Sequence, residues 1–178
     1  ANGKGAQDDI VMTVMLWRLD ADDIAGALEI ARYAMTYGLT MPTGRRPTPY
    51  LLAEEVALAA QRLLAAKQPV ELANLLDTIA LTERADMPDI VRAKLHKITG
   101  YVLRDANQLP EALAHLQRAI QLERTIGVKK DIEQLERQLR PKPEPAPKTK
   151  TTKPRTRKPA AKLAARRGRP PKAAKAAG

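Results

Sequence analysis

A change of composition at Pro141 limits what each part of the sequence can fold into. Residues 1–140 carry 18 basic and 19 acidic side chains, whereas residues 141–178 carry 13 basic residues and one acid, Glu144. The second part also has eight prolines and few large apolar side chains, so burial cannot offset the entropy lost on ordering it. We therefore expect a folded domain over residues 1–140 and a disordered Lys/Arg/Pro-rich tail over residues 141–178.

The first part predicts an all-α domain, because apolar residues recur at spacings of three and four and strand-like alternation is nearly absent. Gly, Pro and Asp mark the breaks between helices. The predicted helical segments run from Ile10 to Trp17, Ile24 to Met35, Leu51 to Ala66, Pro69 to Ile79, Pro88 to Leu103, Ala112 to Ile120 and Val128 to Leu139.

Two of these helix pairs share a pattern that predicts helical hairpins. Aligning Asp20–Ala34 with Asp105–Ala119 places Ala27 on Ala112 and superposes small residues where two helices must approach closely. The spacing resembles the tetratricopeptide repeat, although its usual aromatic and final Pro positions are missing. With a divergent middle between the hairpins, we predict a small tetratricopeptide-like bundle rather than a regular solenoid.

Two apolar features of this bundle have alternative interpretations. The last segment, Val128 to Leu139, has a spacing typical of a coiled-coil seam between subunits, but two heptads are marginal. We favour packing of this helix onto its own bundle. Trp17 is predicted to be a core residue of the first hairpin.

Missing residue types and motifs exclude several kinds of chemistry. The chain has no Cys, which excludes disulfides, Cys-based zinc sites and thiol catalysis, and it has no Ser nucleophile. Gly3-Lys4-Gly5 is too short for a phosphate-binding loop, and no stretch is apolar enough for a membrane span or a secretory signal. We predict no cofactor and no membrane association.

The ionisable side chains of the first part allow a catalytic and a structural interpretation. His96 and His115 would need a third ligand to form a metal site, so packing or surface roles are favoured. Asp20, Asp22 and Asp23 invite a two-metal nuclease interpretation, but no Asp or Glu stands two residues before a Lys. Asp22 and Asp23 are better explained as acidic residues at a helix start. We predict no metal and leave catalytic residues unassigned.

The most specific motif lies in the tail and resembles an AT-hook. A Gly-Arg-Pro centre is extended, lacks a bulky side chain that would clash with the minor groove, and presents Arg to the negative potential of A·T tracts. The alternative is a chance Gly-Arg-Pro in a tail that serves solubility. The predicted DNA-binding residues are Arg166, Arg167, Gly168, Arg169, Pro170 and Lys172. The loop pair Arg45-Arg46 is a weaker candidate for a phosphate contact.

Several segments together resemble a known family, and they cover nearly the whole chain. They include Gly3–Ile10, Met15–Asp20, Asp23–Ala34, Ala85–Pro88, Arg92–Gly100, Ala114–Ala119, Gly127–Lys130 and the basic tail. The sequence is similar to the terminase small subunits of temperate phages with contractile tails, which package DNA at cohesive ends and are sometimes labelled terminase endonuclease subunits. Related sequences extend some tens of residues further upstream, so the chain resembles a shortened homologue.

The resemblance implies a packaging protein that binds double-stranded viral DNA and assists a large ATPase subunit in cohesive-end processing and loading of the prohead. It also implies a homo-oligomer in the host cytoplasm. Two alternatives remain open: an endonuclease subunit with an atypical metal site, and a tetratricopeptide-like scaffold that binds nucleic acid without a packaging role.

Overall fold

The computed structural model describes residues 4–42, 44 and 46–140, and all regular structure in them is helical. The all-α prediction is therefore confirmed for this part of the chain. The helices are α1 (Asp9–Asp20), α2 (Ile24–Tyr37), α3 (Thr48–Ala65), α4 (Leu72–Thr82), α5 (Asp89–Asp105), α6 (Leu109–Leu122) and α7 (Lys129–Leu139). Within these residues no helix is long and apolar enough to cross a bilayer.

The first six helices form three successive hairpins, α1 with α2, α3 with α4, and α5 with α6. The first helices of the hairpins lie side by side, since α3 contacts both α1 and α5, while α2 contacts α4. One core of buried residues runs from α1 to α5, and a second joins α5, α6 and α7. The middle of the chain, which looks divergent in sequence, thus has the same supersecondary structure as the two predicted hairpins.

The three hairpins also share one turn. α1, α3 and α5 are each followed by a non-glycine residue in the left-handed region, namely Asp22, Lys67 and Asn107, with φ of 61°, 56° and 61°. In each turn the next N–H donates to a carbonyl five residues earlier, as from Gln108 to Leu103 at 2.9 Å. This is the Schellman arrangement, which satisfies carbonyls at a helix end. Because the turn recurs, its residues give a common register for the three hairpins.

The small residues aligned between the first and third hairpins are buried as predicted. Ala27, Ala34, Ala112 and Ala119 are all fully buried in the interfaces of their hairpins. Gly100 of α5 lies so close to α6 that an added Cβ would approach Leu116 Cδ2 to 2.7 Å. Small side chains at these positions allow close approach of the helix backbones.

Three helix starts, those of α3, α4 and α6, differ from the prediction by three residues, and α6 begins at Leu109 instead of Ala112. The segment predicted to begin at Pro69 begins at Leu72 instead, with Glu71 at the N-cap position. Val70 packs against the core, and residues 68–71 are not helical. α3 begins three residues earlier than predicted, at Thr48, whose hydroxyl donates to the carbonyl of Leu39 at 2.8 Å.

The prediction that Trp17 belongs to the core is wrong, because its side chain is 64% exposed. In the register set by the turns, Trp17 corresponds to Val102 of α5, which is 8% exposed and packs in the core that includes α3. α1 is the first helix of the stack, so this position has no preceding helix to pack against within the described residues. Periodicity within one helix does not show whether a neighbouring helix is present.

The last helix packs onto its own bundle, as favoured from the sequence. Val128 and Leu135 are buried together with Leu116 of α6. Leu139, at the end of the same apolar stripe, remains 37% exposed. α7 thereby covers the C-terminal side of the third hairpin.

Candidate functional site

The residues predicted to bind DNA, Arg166–Pro170 and Lys172, lie outside the described residues, as does Arg45. Arg46 is described, and it forms an ion pair with Glu54. Its guanidinium also lies 5.8 Å from the centre of the Tyr50 ring. These contacts explain Arg46 as a surface residue that fixes the start of α3.

The acidic turn between α1 and α2 has structural partners. Asp23 caps α2, accepting from the Gly26 N–H at 2.9 Å, and its other oxygen pairs with Arg18 at 2.9 Å. Asp22 pairs with Arg62 of α3 at 2.9 Å. Across residues 4–42, 44 and 46–140, no group of three or more His, Asp or Glu side chains converges on one point. The contacts of Asp23 agree with the capping interpretation, whereas Asp22 pairs with α3 and does not cap α2.

Glu55, about two turns into α3, is the carboxyl group near the α1–α2 turn whose pKa is clearly raised among the described residues. Its partial burial is the main cause, and the charges of Glu54 and Asp20 add to it. The guanidinium groups of Arg46 and Arg62 oppose the shift. Both carboxylate and guanidinium groups therefore surround Glu55 where α1 and α3 meet.

The two histidines, which the sequence does not bring together, meet in the third hairpin. Nδ1 of His96 on α5 lies 3.0 Å from Nδ1 of His115 on α6. Burial lowers the pKa of His96 to about 4, with further lowering from the charges of His115, Arg118 and Arg92. Burial also lowers the pKa of His115. Both rings are therefore neutral at pH 7, and one Nδ1–H can donate to the other Nδ1.

A cleft of about 570 Å³ lies between α3 and α5 and is lined by both apolar and cationic side chains. Its α3 wall includes Leu58, which is 38% exposed. Its α5 wall carries Lys94, Lys97 and Arg104, spaced three and seven residues apart on one helix face. The structure therefore concentrates positive charge along an apolar groove, although the folded part as a whole carries slightly more acids than bases.

Tyr101 lies among these cations, and its ring is close to Lys97 and Arg104. Its hydroxyl donates to Asp131 of α7 at 3.1 Å, and its ring lies 4.9 Å from the guanidinium of Arg104. Burial and the charge of Asp131 raise the pKa of Tyr101 to about 12, so the hydroxyl stays protonated. Lys97 donates to the carbonyl of Ile126 at 2.9 Å. Lys94 is exposed at the rim, where its ammonium group can meet a ligand.

Sequence analysis did not identify this cleft, although one signal for it was present. Lys94, Lys97, Tyr101 and Arg104 recur at spacings of three and four, which places them on one face of α5. The opposite wall comes from α3, some forty residues earlier in the chain. Only the packing of α3 against α5 turns a basic helix face into a groove.

Comparisons with known proteins connect the chain to phage terminases. Residues 1–90 match the family described as phage small terminase subunit. The "Terminase, endonuclease subunit" of Escherichia phage P2 is 64% identical over 173 residues, which are 97% of this chain and 69% of that protein. No solved structure matches this chain.

Proposed function

The chain belongs to the phage small terminase subunit family, and we propose that it binds double-stranded viral DNA and assists the large ATPase subunit in packaging. In this role it takes part in cohesive-end processing and in loading the genome into the prohead, as a homo-oligomer in the host cytoplasm. The observation that carries the proposal is the division of charge between the helical part and the basic tail.

DNA affinity is assigned to residues 141–178. This segment holds 13 basic residues and one acid, whereas residues 1–140 hold 18 bases and 19 acids. Lys and Arg contacts to phosphate release counterions, and this release supplies most of the sequence-independent affinity for DNA. Within the tail, Arg166, Arg167, Gly168, Arg169, Pro170 and Lys172 are assigned to the minor groove of A·T-rich DNA.

The α3–α5 cleft is assigned to contact with the large subunit. Its apolar α3 wall and cationic α5 wall fit a segment with one apolar side chain beside an acidic one. Leu58 offers exposed apolar surface, and Lys94 offers an ammonium group at the rim. The neighbouring Asp105 and Asp131 offset the charge of Arg104, which disfavours the cleft as the main contact for DNA phosphates.

Deletion of residues 141–178 tests the DNA assignment. The shortened chain should keep its helical circular dichroism but bind duplex DNA far more weakly. The slope of log affinity against log salt should flatten by about 0.9 for each DNA phosphate that the shortened chain no longer neutralises. If affinity and slope are unchanged by the deletion, the tail is not the DNA-binding element.

A matched pair of lysine substitutions tests the cleft. Lys94→Glu changes the rim of the cleft, whereas Lys129→Glu makes the same change of charge on α7. The first variant should bind purified large subunit at least about tenfold more weakly, because it places a negative charge opposite the acidic side chain of the proposed partner segment. The second should bind normally, and both should keep their affinity for DNA. Equal losses of affinity in both variants would mean that binding of the large subunit depends only on the net charge of the chain and not on the cleft.

The name of the phage P2 relative raises a second candidate function, a nuclease built on Asp20, Asp22 and Asp23. The observed ion pairs give Asp22 and Asp23 structural roles instead. Pure protein should therefore leave a plasmid with the cognate cohesive-end site intact in Mg²⁺ or Mn²⁺ unless the large subunit is added. Cleavage without the large subunit that disappears in Asp22→Ala or Asp23→Ala would establish the nuclease.

A further inference from the structure

The two histidines of the chain occupy facing positions in the third hairpin. His96 lies on α5 and His115 on α6, with their Nδ1 atoms 3.0 Å apart and their ring centres 5.1 Å apart. His96 also lines a cleft of about 350 Å³ whose other polar walls include Glu83 and Asp89. The pair is therefore partly buried but lies beside a route to solvent.

The other hairpins show that the fold does not need imidazoles at this place. In the register of the shared turn, His96 corresponds to Val11 in the first hairpin and to Val56 in the second. His115 corresponds to Ile30, and Val11 and Ile30 line one cleft in the first hairpin. Apolar side chains thus perform the packing role elsewhere, so the histidine pair adds a chemical property that packing does not require.

We propose that His96 and His115 form a binding site for a divalent transition-metal ion, with Nδ1 of each ring as a ligand. The distance between the two nitrogens is the main support. With metal–nitrogen bonds of about 2.1 Å, two ligands 3.0 Å apart subtend roughly 90° at the metal. That angle suits adjacent positions in octahedral or square-planar coordination, which Ni²⁺ and Cu²⁺ adopt, better than tetrahedral Zn²⁺.

The surroundings determine the strength of such a site. Burial keeps both imidazoles neutral at pH 7, so no imidazolium proton has to be released. The ring that donates its Nδ1–H to the other must shift this proton to Nε2 before both Nδ1 lone pairs can bind the metal. Arg92 and Arg118 oppose a cation, but Arg92 is held by the carbonyls of Thr82 and Glu83, and the same cleft holds two carboxylates. Water fills the remaining coordination positions. We expect modest affinity and a preference for Cu²⁺ and Ni²⁺ over Mg²⁺, which prefers oxygen ligands.

A metal bound in this way would join α5 to α6 and stabilise the third hairpin, because it binds the folded state and not the unfolded chain. The test uses the full chain, stripped with a chelator and then titrated with NiCl₂, CuSO₄, ZnCl₂ or MgCl₂. Saturating Ni²⁺ should raise the midpoint of thermal unfolding by about 5 °C. Mg²⁺ should leave it unchanged, and the electron paramagnetic resonance spectrum of bound Cu²⁺ should show splitting from two nitrogens.

The matched control replaces the pair with the residues of the first hairpin, His96→Val together with His115→Ile. This variant keeps apolar packing and should lose both the Ni²⁺ shift and the two-nitrogen spectrum. If its folding is impaired, His115→Gln alone provides the comparison, since it removes one imidazole and keeps a polar side chain. Equal metal responses in wild type and variants, or no response to any transition metal, would overturn the proposal. The pair would then be an imidazole–imidazole hydrogen bond, and the packaging role would be unaffected.

Discussion

Arg62 of α3 binds the carboxylate of Asp22, the left-handed residue that follows α1. Its Nε and Nη2 donate to Asp22 Oδ1 at 3.1 and 2.9 Å, and Nη2 also donates to the Leu19 carbonyl at 2.7 Å. The side chain of α3 thus closes the end of a helix in the preceding hairpin. This contact links the turn shared by all three hairpins to the stacking of one hairpin on the next.

Asp22→Ala should lower the free energy of unfolding by about 1–2 kcal/mol, because it removes a partly exposed ion pair and places Ala at positive φ. Asp22→Asn is the matched control, since Asn tolerates the left-handed region and removes only the charge. It should cost about half as much in urea denaturation. Equal losses in the two variants would show that the backbone conformation contributes nothing.

The free energy of unfolding should decrease at acid pH because of His96 in the third hairpin. The pKa of His96 falls from 6.5 to about 4 on folding, so the unfolded chain takes up its proton first. The contribution of His96 to the free energy of unfolding is fully present above pH 6.5 and is lost as the pH drops towards 4. Because the ring keeps partial solvent contact, the loss should be roughly 2 kcal/mol, less than the full shift implies.

The difference in free energy of unfolding between wild type and the His96→Val/His115→Ile variant, measured as a function of pH, isolates the contribution of the histidines. Glu55 shifts in the opposite direction: its raised pKa favours the folded state at acid pH, a contribution that disappears as the pH rises. Both proteins contain Glu55, so its contribution cancels in the difference. Parallel stability curves for the two proteins between pH 4 and 7 would contradict the assignment of the acid dependence to the histidines.

Gly100→Ala should destabilise the interface between α5 and α6 by about 1–3 kcal/mol, despite the better helix propensity of Ala. The added Cβ would lie 2.7 Å from Cδ2 of Leu116, which is fully buried and has little room to move. Adding Leu116→Val should recover part of the loss in a double-mutant cycle. Additive losses would mean that the two side chains do not collide.

Leu135→Ala should cost about 2–4 kcal/mol in denaturant unfolding, because this side chain is buried against the third hairpin. Leu139→Ala, on the same helix but partly exposed, should cost less than about 1 kcal/mol. A decrease of oligomeric mass by light scattering in Leu135→Ala, without a decrease of stability, would instead support a seam between subunits.

Arg169→Ala should reduce the preference for A·T-rich over G·C-rich duplexes, since this side chain is predicted to lie deepest in the minor groove. Lys150→Ala should weaken binding to both duplexes equally and lower the salt slope by about 0.9. Fluorescence anisotropy titrations at several salt concentrations separate the two effects. If both substitutions act equally on both duplexes, the tail is a general polycation.

The helices and their buried faces were predictable because spacings of three and four residues are local properties of the chain. The same holds for the close contacts of Ala27 and Ala112, since small residues recurred at equivalent places. The helix predicted from Pro69 is present, but it begins three residues later, at Leu72. Val70, just before it, packs against the core, a contact that no local pattern contains. The middle hairpin was missed because its turn uses Lys67, an unusual residue for the left-handed region.

By itself, the sequence determined the all-α class of the described part, the separation of positive charge into residues 141–178 and the family to which the chain belongs. These follow from composition, period and motif, which do not depend on how distant segments meet. The tertiary structure decided that Trp17 is exposed, that His96 meets His115 and that Lys94 faces Leu58 across a cleft. Each of these depends on which helix lies beside another, and that is set by the packing of residues far apart in the chain.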